Sequence, residues 1–172
     1  MPLLENLSPD TLTSARLWSN LDRPTRTLAA RAMYDGDTEM RGQADQAVAA
    51  ALRFRPAGVR KLSVDRRIDY LVRVVRPDVA LASSLLMALH LGCRQELLTS
   101  MLDALGIPND DGLIASDHEL GPIAVDALAS AVATLRDRFD GAEVELYLAT
   151  LLVLDADVWG GLSDILWRDE TS

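Results

Sequence analysis

Apolar residues recur at helical spacing along most of the chain, and the clearest stripe lies in residues 64–75. Its members stand three or four positions apart and are Ile68, Leu71, Val72 and Val75. Charged side chains occupy the positions between them, which is the pattern of an amphipathic helix with one face on a core. Ser63 directly precedes this run and is its expected N-cap.

The segment that follows, residues 79–91, contains no charged residue and is apolar on nearly every side. A helix of this kind must be covered by other parts of the protein. Its thirteen residues fall short of the ~20 that are needed to span a bilayer. We therefore predict a central core helix that ends at Gly92, its expected C-cap.

The same spacing, with Pro, Gly, Ser or Asp at the boundaries, predicts further helices on both sides of this centre. Their expected ranges are residues 9–20, 23–35, 38–53, 94–105, 122–139, 142–154 and 158–167. No strand-like alternation persists and no Asn-Gly hairpin signal is present. The sequence thus predicts an all-α fold, a compact bundle or helix-hairpin stack of about eight to nine helices. The tail, residues 168–172, is expected to be frayed.

Residues 106–121 form the longest predicted loop. Its Asp111-Gly112 pair is a turn signal, and Leu113 and Ile114 are expected to fold back on the core. A loop of about fifteen residues is long for a compact domain, so this segment either carries function or contains a short helix.

Composition places the chain among soluble globular proteins. It has 172 residues, of which 49% are hydrophobic and 25% charged, and both values are ordinary. A chain of this length buries ~70% of its unfolded surface without a disulfide or a metal. We therefore predict one all-helical domain, residues 1–172. A single cysteine, Cys93, and the lack of a leader pattern favour a cytoplasmic protein of bacterial type with no membrane segment.

Charge is distributed unevenly along the chain. The net charge of −9 argues against nucleic acid or an anionic membrane as a general partner. Residues 1–96 carry fourteen basic and eleven acidic groups, whereas residues 97–172 carry three basic and fifteen acidic groups. Such a chain either pairs head to tail with another copy or presents two differently charged faces of one domain.

Residues 53–76 form a basic stretch that holds eight of the seventeen basic residues. Two of them, Arg66 and Arg67, fall in the first turn of a predicted helix, where positive charge opposes the helix dipole. A phosphate, an acidic peptide or nucleic acid is the kind of ligand that such a stretch would hold. The alternative is that these side chains pair with the acidic half of the chain. The candidate binding residues are Arg60, Arg66, Arg67 and Arg73.

The few residues suited to metal or nucleophilic chemistry make a second candidate site. His90 stands three positions before Cys93, but half a zinc site without a second cysteine predicts no metal centre. His118, Asp110 and Asp111 lie in the acidic loop, whose spacing fails the EF-hand pattern because Ile107 occupies the first ligand position. No catalytic residue and no cofactor is predicted. The simpler interpretation is that His90 is satisfied at a helix end, where the dipole favours its proton, and that the loop is solvated.

Amphipathic helices and segregated charge favour a non-catalytic, scaffold-type helical domain that binds another protein or a second copy of itself, as in a homodimer. The first alternative is an all-α enzyme or a small-ligand or metal binder near His90, Cys93 and His118. The second is phosphate or nucleic-acid binding through residues 53–76, although the net charge makes nucleic acid the less favoured partner.

Overall fold

The computed structural model describes residues 3–168, and within them the all-α prediction is confirmed. Among residues 3–168, eight of the helices have seven or more residues, and the only strands form a small hairpin. The helices are α1 (Ser14–Asn20), α2 (Arg23–Asp35), α3 (Thr38–Leu52), α4 (Pro56–Val59), α5 (Val64–Arg73), α6 (Val79–Cys93), α7 (Gln95–Ala104), α8 (Val125–Arg138), α9 (Gly141–Leu154), α10 (Ala156–Trp159) and α11 (Leu162–Trp167). Of the tail that we predicted to fray, residues 169–172 lie outside the described residues.

The chain divides into two compact units. One is Ser14–Cys93, and the other combines the first thirteen residues with residues 94–172. The first unit has thirteen basic and eight acidic residues, a net charge of +5, and is called the basic unit. The second has four basic and eighteen acidic residues, a net charge of −14, and is called the acidic unit. The predicted change of charge along the sequence therefore coincides with a structural boundary.

Helix α6 is the core of the basic unit, as its uncharged sequence predicts. It packs against α2 along most of its length and against α1, and Leu85, Leu86 and Leu89 are fully buried. Among residues 3–168, no helix is both long enough and apolar enough to cross a membrane. Burial of each large aliphatic side chain contributes about 1.5–3 kcal/mol, so this helix supplies much of the apolar stabilisation of the unit.

The end of α6 differs from the prediction. The helix continues through Gly92 to Cys93, so Gly92 is an internal residue and not a C-cap. A Cβ atom placed on Gly92 would lie 3.0 Å from the Cβ of Ala32 on α2. The missing side chain therefore allows α2 and α6 to approach closely. Leu28, also on α2, is 50% exposed.

Short polar side chains begin the helices of the basic unit as the sequence suggests. The side chains of Asp22, Asp37 and Ser63 accept hydrogen bonds from backbone N–H groups in the first turns of α2, α3 and α5. Each such cap satisfies an N–H group that has no partner within its helix. The predicted helix over residues 9–20 is wrong in its continuity, because a 3₁₀ turn, Pro9–Thr11, is separated from α1.

The acidic unit is built on α7, α8, α9 and α11. The middle of α9 is its most buried segment, and the buried residues of the helix are Val144, Leu146, Tyr147, Leu148, Ala149 and Thr150. The indole Nε1 of Trp167 donates a 2.8 Å hydrogen bond to the carbonyl of Leu7, which ties the start of the chain to α11. The predicted last helix is interrupted at Gly160 and Gly161, where a Cβ on Gly161 would lie 2.9 Å from Leu128.

Residues 106–121 contain a β-hairpin where the sequence suggested a loop or a short helix. Strand β1 (Asn109–Asp110) pairs in antiparallel register with strand β2 (Leu113–Ile114). Asp111 and Gly112 form the turn with φ angles of 49° and 86°, which are the paired positive values of a type I′ turn. The expectation that the second strand folds back on the core is wrong, because Leu113 is 55% exposed and Ile114 37% exposed.

The single-domain prediction leads to an expected calorimetric result. If residues 1–172 unfold as one domain, the calorimetric enthalpy should equal the van't Hoff enthalpy in one thermal transition. Two resolved transitions would instead assign separate stabilities to the basic and acidic units. Differential scanning calorimetry at two scan rates measures this and shows whether the transition is at equilibrium.

Candidate functional site

Arg67 belongs to a buried polar cluster and not to an exposed basic patch. Its side chain is only 16% exposed, and NH1 lies 3.4 Å from the carboxylate of Asp45. The remaining guanidinium nitrogens donate to the backbone carbonyls of Leu62 and Arg60 at 3.0 and 2.9 Å. The guanidinium carbon also lies 5.9 Å from the ring centroid of Tyr34, within cation–π range. These contacts join α2, α3 and α5, so the role of Arg67 is to stabilise the fold.

Tyr34, on α2, is the third member of this cluster and contacts the same carboxylate as Arg67. Its hydroxyl donates a 3.0 Å hydrogen bond to Oδ1 of Asp45, and both residues are 5% exposed. Burial raises the pKa of Tyr34 far above its usual value, and the neighbouring Asp45 carboxylate raises it further. The phenol therefore stays protonated and serves as a hydrogen-bond donor to the buried carboxylate.

Arg73 is exposed but already has an anionic neighbour. Its NH1 lies 3.1 Å from Oδ2 of Asp69, and Oδ1 of the same carboxylate lies 3.3 Å from NH2 of Arg23. Arg31 makes a similar surface pair with Asp65 at 3.0 Å. The acidic partners of Arg67 and Arg73 both come from the basic unit, and not from residues 97–172 as the alternative interpretation supposed.

Most of the basic stretch has no ion-pair partner within residues 3–168. Its six remaining members are all exposed, and none has an ion-pair partner among the described residues. They are Arg53, Arg55, Arg60, Lys61, Arg66 and Arg76. Of the four candidate arginines in this stretch, Arg60 and Arg66 are thus free to meet a partner, Arg73 is shared with Asp69, and Arg67 faces inward.

An open cleft of about 620 Å³ lies beside this stretch in the basic unit, and it is called the α3–α6 cleft. It is bounded by α3, by the segment between α5 and α6, and by the first turn of α6. Its lining is mainly small and aliphatic, with polar groups among it: Gln43, Gln46, Ala47, Ala50, Ala51, Val74, Val75, Arg76, Asp78, Ala80 and Leu81. Oδ1 of Asp78 is engaged, because it accepts the N–H of Leu81 at 2.8 Å.

Exposed apolar side chains accompany this cleft. Val74 lines it and is 43% exposed, and Val79, between two lining residues, is 54% exposed. Phe54, which follows the last turn of α3, is also 54% exposed. Large apolar groups on a soluble surface mark contact sites when they cluster around a concave feature. The cleft can therefore bury aliphatic side chains while its charged neighbours hold anionic ones.

The sequence did not identify this cleft, although it contained one signal. Ala47, Ala50 and Ala51 stand three and four positions apart on α3, and such a stripe indicates a face that a neighbour can approach closely. The sequence could not tell whether that neighbour belongs to the same chain. All three residues retain solvent contact in the structure, so this face is open.

His90 and Cys93 lie on the same helix but in different environments. His90 is 3% exposed on α6, whereas Cys93 is an exposed free thiol at the end of that helix. Cys93 borders a second, smaller cleft of about 300 Å³ between α2 and α6, which Leu28, Ala32 and Met40 also line. One ligand therefore cannot reach both His90, which is buried, and Cys93, which is exposed.

The acidic loop presents its carboxylates to solvent. Asp110, Asp111 and His118 are all exposed in the acidic unit, and Asn109 uses its amide to hold the hairpin. Its Nδ2 donates to Oδ1 of Asp103 at 2.9 Å, and its Oδ1 accepts the N–H of Gly112 at 3.1 Å. Among residues 3–168, no three His, Cys, Asp or Glu side chains are grouped so that they could hold a metal ion.

Comparisons of the chain with protein-family models, with curated proteins and with solved structures found no match. The candidate function therefore depends on the geometry and charge of the chain itself.

Proposed function

We propose that this protein is a non-catalytic interaction domain whose α3–α6 cleft binds an acidic, amphipathic segment of a protein partner. The observation that carries the proposal is an open, mainly aliphatic cleft that Arg76 lines, in a unit with six exposed basic residues that have no ion-pair partner among residues 3–168. The occupant therefore needs aliphatic side chains on one face and carboxylates at its edges. The exposed thiol of Cys93 suits the reducing cytoplasm as the place of action.

Charge supports an acidic occupant. The basic unit has a net charge of +5, and its unpaired cations fall mostly in residues 53–76, next to the cleft in sequence. Complementary charge speeds association and disfavours partners of like charge. Arg76 lines the cleft itself, so we assign it the most direct contact with an incoming carboxylate.

The shape and lining support a polypeptide occupant. Alanine side chains on α3 leave room for the backbone of a partner segment, which would place its own larger side chains against Val74 and Leu81. A groove of this kind accepts the apolar face of an amphipathic segment, and a model helix with such a face is one probe of it. A cleft of this kind has few groups that could orient a reacting substrate, which favours binding over catalysis.

Nucleic acid fits the same surface less well. Proteins that bind single strands stack the bases on aromatic side chains, and Phe54 is the only exposed aromatic residue in residues 53–76, since Tyr70 is half-buried. The net charge of −9 also repels a polyanion at long range.

The expected result is selective binding of an acidic model helix. A synthetic amphipathic peptide with leucine on one face and glutamate on the other should bind, whereas its lysine counterpart should not. Arg76→Glu should weaken binding about tenfold or more, because it places like charge in the cleft. Isothermal titration calorimetry measures both affinities.

Arg41→Glu is the matched control for this charge reversal. It makes the same change on α3 at a residue that does not line the cleft, and it should leave the peptide affinity nearly unchanged. Equal losses in the two variants would contradict the proposed site. Tighter binding of a single-stranded oligonucleotide than of the acidic peptide would favour the nucleic-acid alternative instead.

A further inference from the structure

We propose that the occupant of the α3–α6 cleft is the acidic hairpin of a second copy of this chain, so that the protein associates head to tail. This inference rests on the proposed function, because it names the partner of the same cleft. The acidic hairpin is defined as residues 109–114, strands β1 and β2 with their turn. It is a surface of the acidic unit, and its features are those that the cleft requires.

The acidic hairpin combines exposed apolar and acidic side chains. Leu113 and Ile114 are 55% and 37% exposed, and they are the only two adjacent large hydrophobic residues with such exposure among residues 3–168. Asp110 and Asp111 precede them in the same hairpin and are also exposed. Leu113 and its cross-strand partner Asp110 lie on the same face of the hairpin. An aliphatic side chain beside a carboxylate matches a cleft that is lined by alanine and valine and includes Arg76.

Internal contacts hold the hairpin in position before any partner arrives. Asn109 bonds both to the N–H of Gly112 and to Asp103, near the end of α7. The backbone at Gly112 lies against α7 so closely that an added Cβ would come within 2.6 Å of the Cβ of Leu98. A segment that is already ordered loses little conformational entropy on binding. The exposure of Leu113 is therefore a fixed feature of the surface.

Charge complementarity selects a second copy as the occupant. The acidic unit has a net charge of −14 and the basic unit +5. An approach of the acidic unit of one molecule to the basic unit of another is therefore attractive over roughly a Debye length, about 10 Å at 0.1 M salt. A two-fold contact between like units would bring charges of the same sign together.

The surfaces differ, so the interface is heterologous. Each copy offers one cleft and one hairpin, and growth continues into rings or open chains unless the ends meet. The hairpin is small, so each contact falls in the low range of interface areas and is expected to be weak and transient. Association should therefore rise with protein concentration and fall with added salt.

Analytical ultracentrifugation of the wild-type chain provides the first test. The weight-average mass should exceed that of the monomer at high concentration and should decrease toward it when the salt rises from about 0.05 M to about 0.5 M. A mass that stays monomeric over about a hundredfold range of concentration would overturn the inference. If the acidic model peptide still bound the cleft, the proposed function would survive that result, and if it did not, both would fail.

A mixing experiment tests the head-to-tail geometry. Arg76→Glu damages the cleft but keeps the hairpin, whereas Leu113→Arg damages the hairpin but keeps the cleft. Each variant alone should dissociate at least about tenfold more readily than wild type. An equimolar mixture should form a one-to-one dimer and stop there, because only one functional pair of surfaces remains. A mixture that stays monomeric, or that grows beyond the dimer, would contradict the heterologous contact.

Leu154→Arg is the matched control for the hairpin variant. Leu154 is 39% exposed at the end of α9 in the acidic unit, so the same substitution changes charge and apolar surface outside the hairpin. It should associate like wild type. Loss of association in Leu154→Arg but not in Leu113→Arg would move the interface to α9. Far-ultraviolet circular dichroism of all variants identifies any that fail to fold, and Leu113→Ser then provides a milder hairpin substitution.

Discussion

Arg67→Met is expected to lower the free energy of unfolding by about 3–5 kcal/mol, because it removes one member of a buried ion pair. The carboxylate of Asp45 would remain 5% exposed without its cationic partner. The carbonyls of Leu62 and Arg60 would each lose a guanidinium donor as well. Methionine preserves most of the length of the side chain, so the loss measures polar contacts more than packing. Urea unfolding followed by circular dichroism gives the value.

Arg66→Met is the control, since it makes the same substitution one position away on the exposed face of α5. It should change the free energy of unfolding by no more than about 0.5 kcal/mol. The double variant Arg67→Met/Asp45→Asn should recover much of the loss, because no buried charge then remains and the amide oxygen still accepts the hydrogen bond from the Tyr34 hydroxyl. If Arg67→Met and Arg66→Met proved equally stable, the structural role of Arg67 would be refuted.

The different roles of these neighbouring arginines could be predicted from the sequence only in part. Arg67 stands four positions before Leu71 and so shares the edge of the apolar face, whereas Arg66 lies on the far side of the helix. We predicted both arginines on the charged side of the helix, and for Arg67 that prediction is wrong, because its side chain is only 16% exposed. Its partner could not be predicted, because Asp45 is on α3, twenty-two residues earlier, and only the packing of α3 on α5 brings them together.

The helices were predictable because their signals are local. Caps such as Ser63 and the uncharged run of α6 act within a few residues, and both are present in the structure. The Asp111-Gly112 turn was equally local, yet we interpreted it as part of a loop, although an Asp-Gly pair is a strong type I′ signal. The internal position of Gly92 was not local, because it depends on how closely Ala32 of α2 approaches.

For the candidate site too, local features could be predicted and contacts between distant residues could not. The sequence located the basic stretch, but it could not separate its unpaired members from Arg73, whose partner Asp69 lies four positions earlier and is shared with Arg23 of α2. The α3–α6 cleft was also out of reach, since an alanine stripe looks the same whether it is covered or open. The alanine stripe therefore indicated a face suited to close contact, but the sequence could not show that no other part of the basic unit fills it.

Gly112→Ala is expected to lower the free energy of unfolding by about 2–5 kcal/mol, from two costs that add. The residue has a φ of 86°, which strains any side chain with a Cβ. The new methyl group would also lie 2.6 Å from the Cβ of Leu98 and 3.3 Å from the backbone nitrogen of Thr99. Neither neighbouring atom is the free end of a flexible side chain, so the hairpin or α7 must move. Thermal and urea unfolding measure the loss.

Two other glycines of the acidic unit separate these costs. Gly106 has a φ of 68° but no atom within 4 Å of an added Cβ, so Gly106→Ala isolates the strain, about 1–2 kcal/mol. Gly121 has neither feature, and Gly121→Ala should stay within about 0.5 kcal/mol of wild type. Equal stability of Gly112→Ala and Gly106→Ala would show that the contact with α7 adds nothing. We expect Gly112→Ala to be much less stable than Gly106→Ala, which would mean that the contact with α7 fixes the hairpin. Gly112→Ala should then weaken self-association as well as lower the free energy of unfolding.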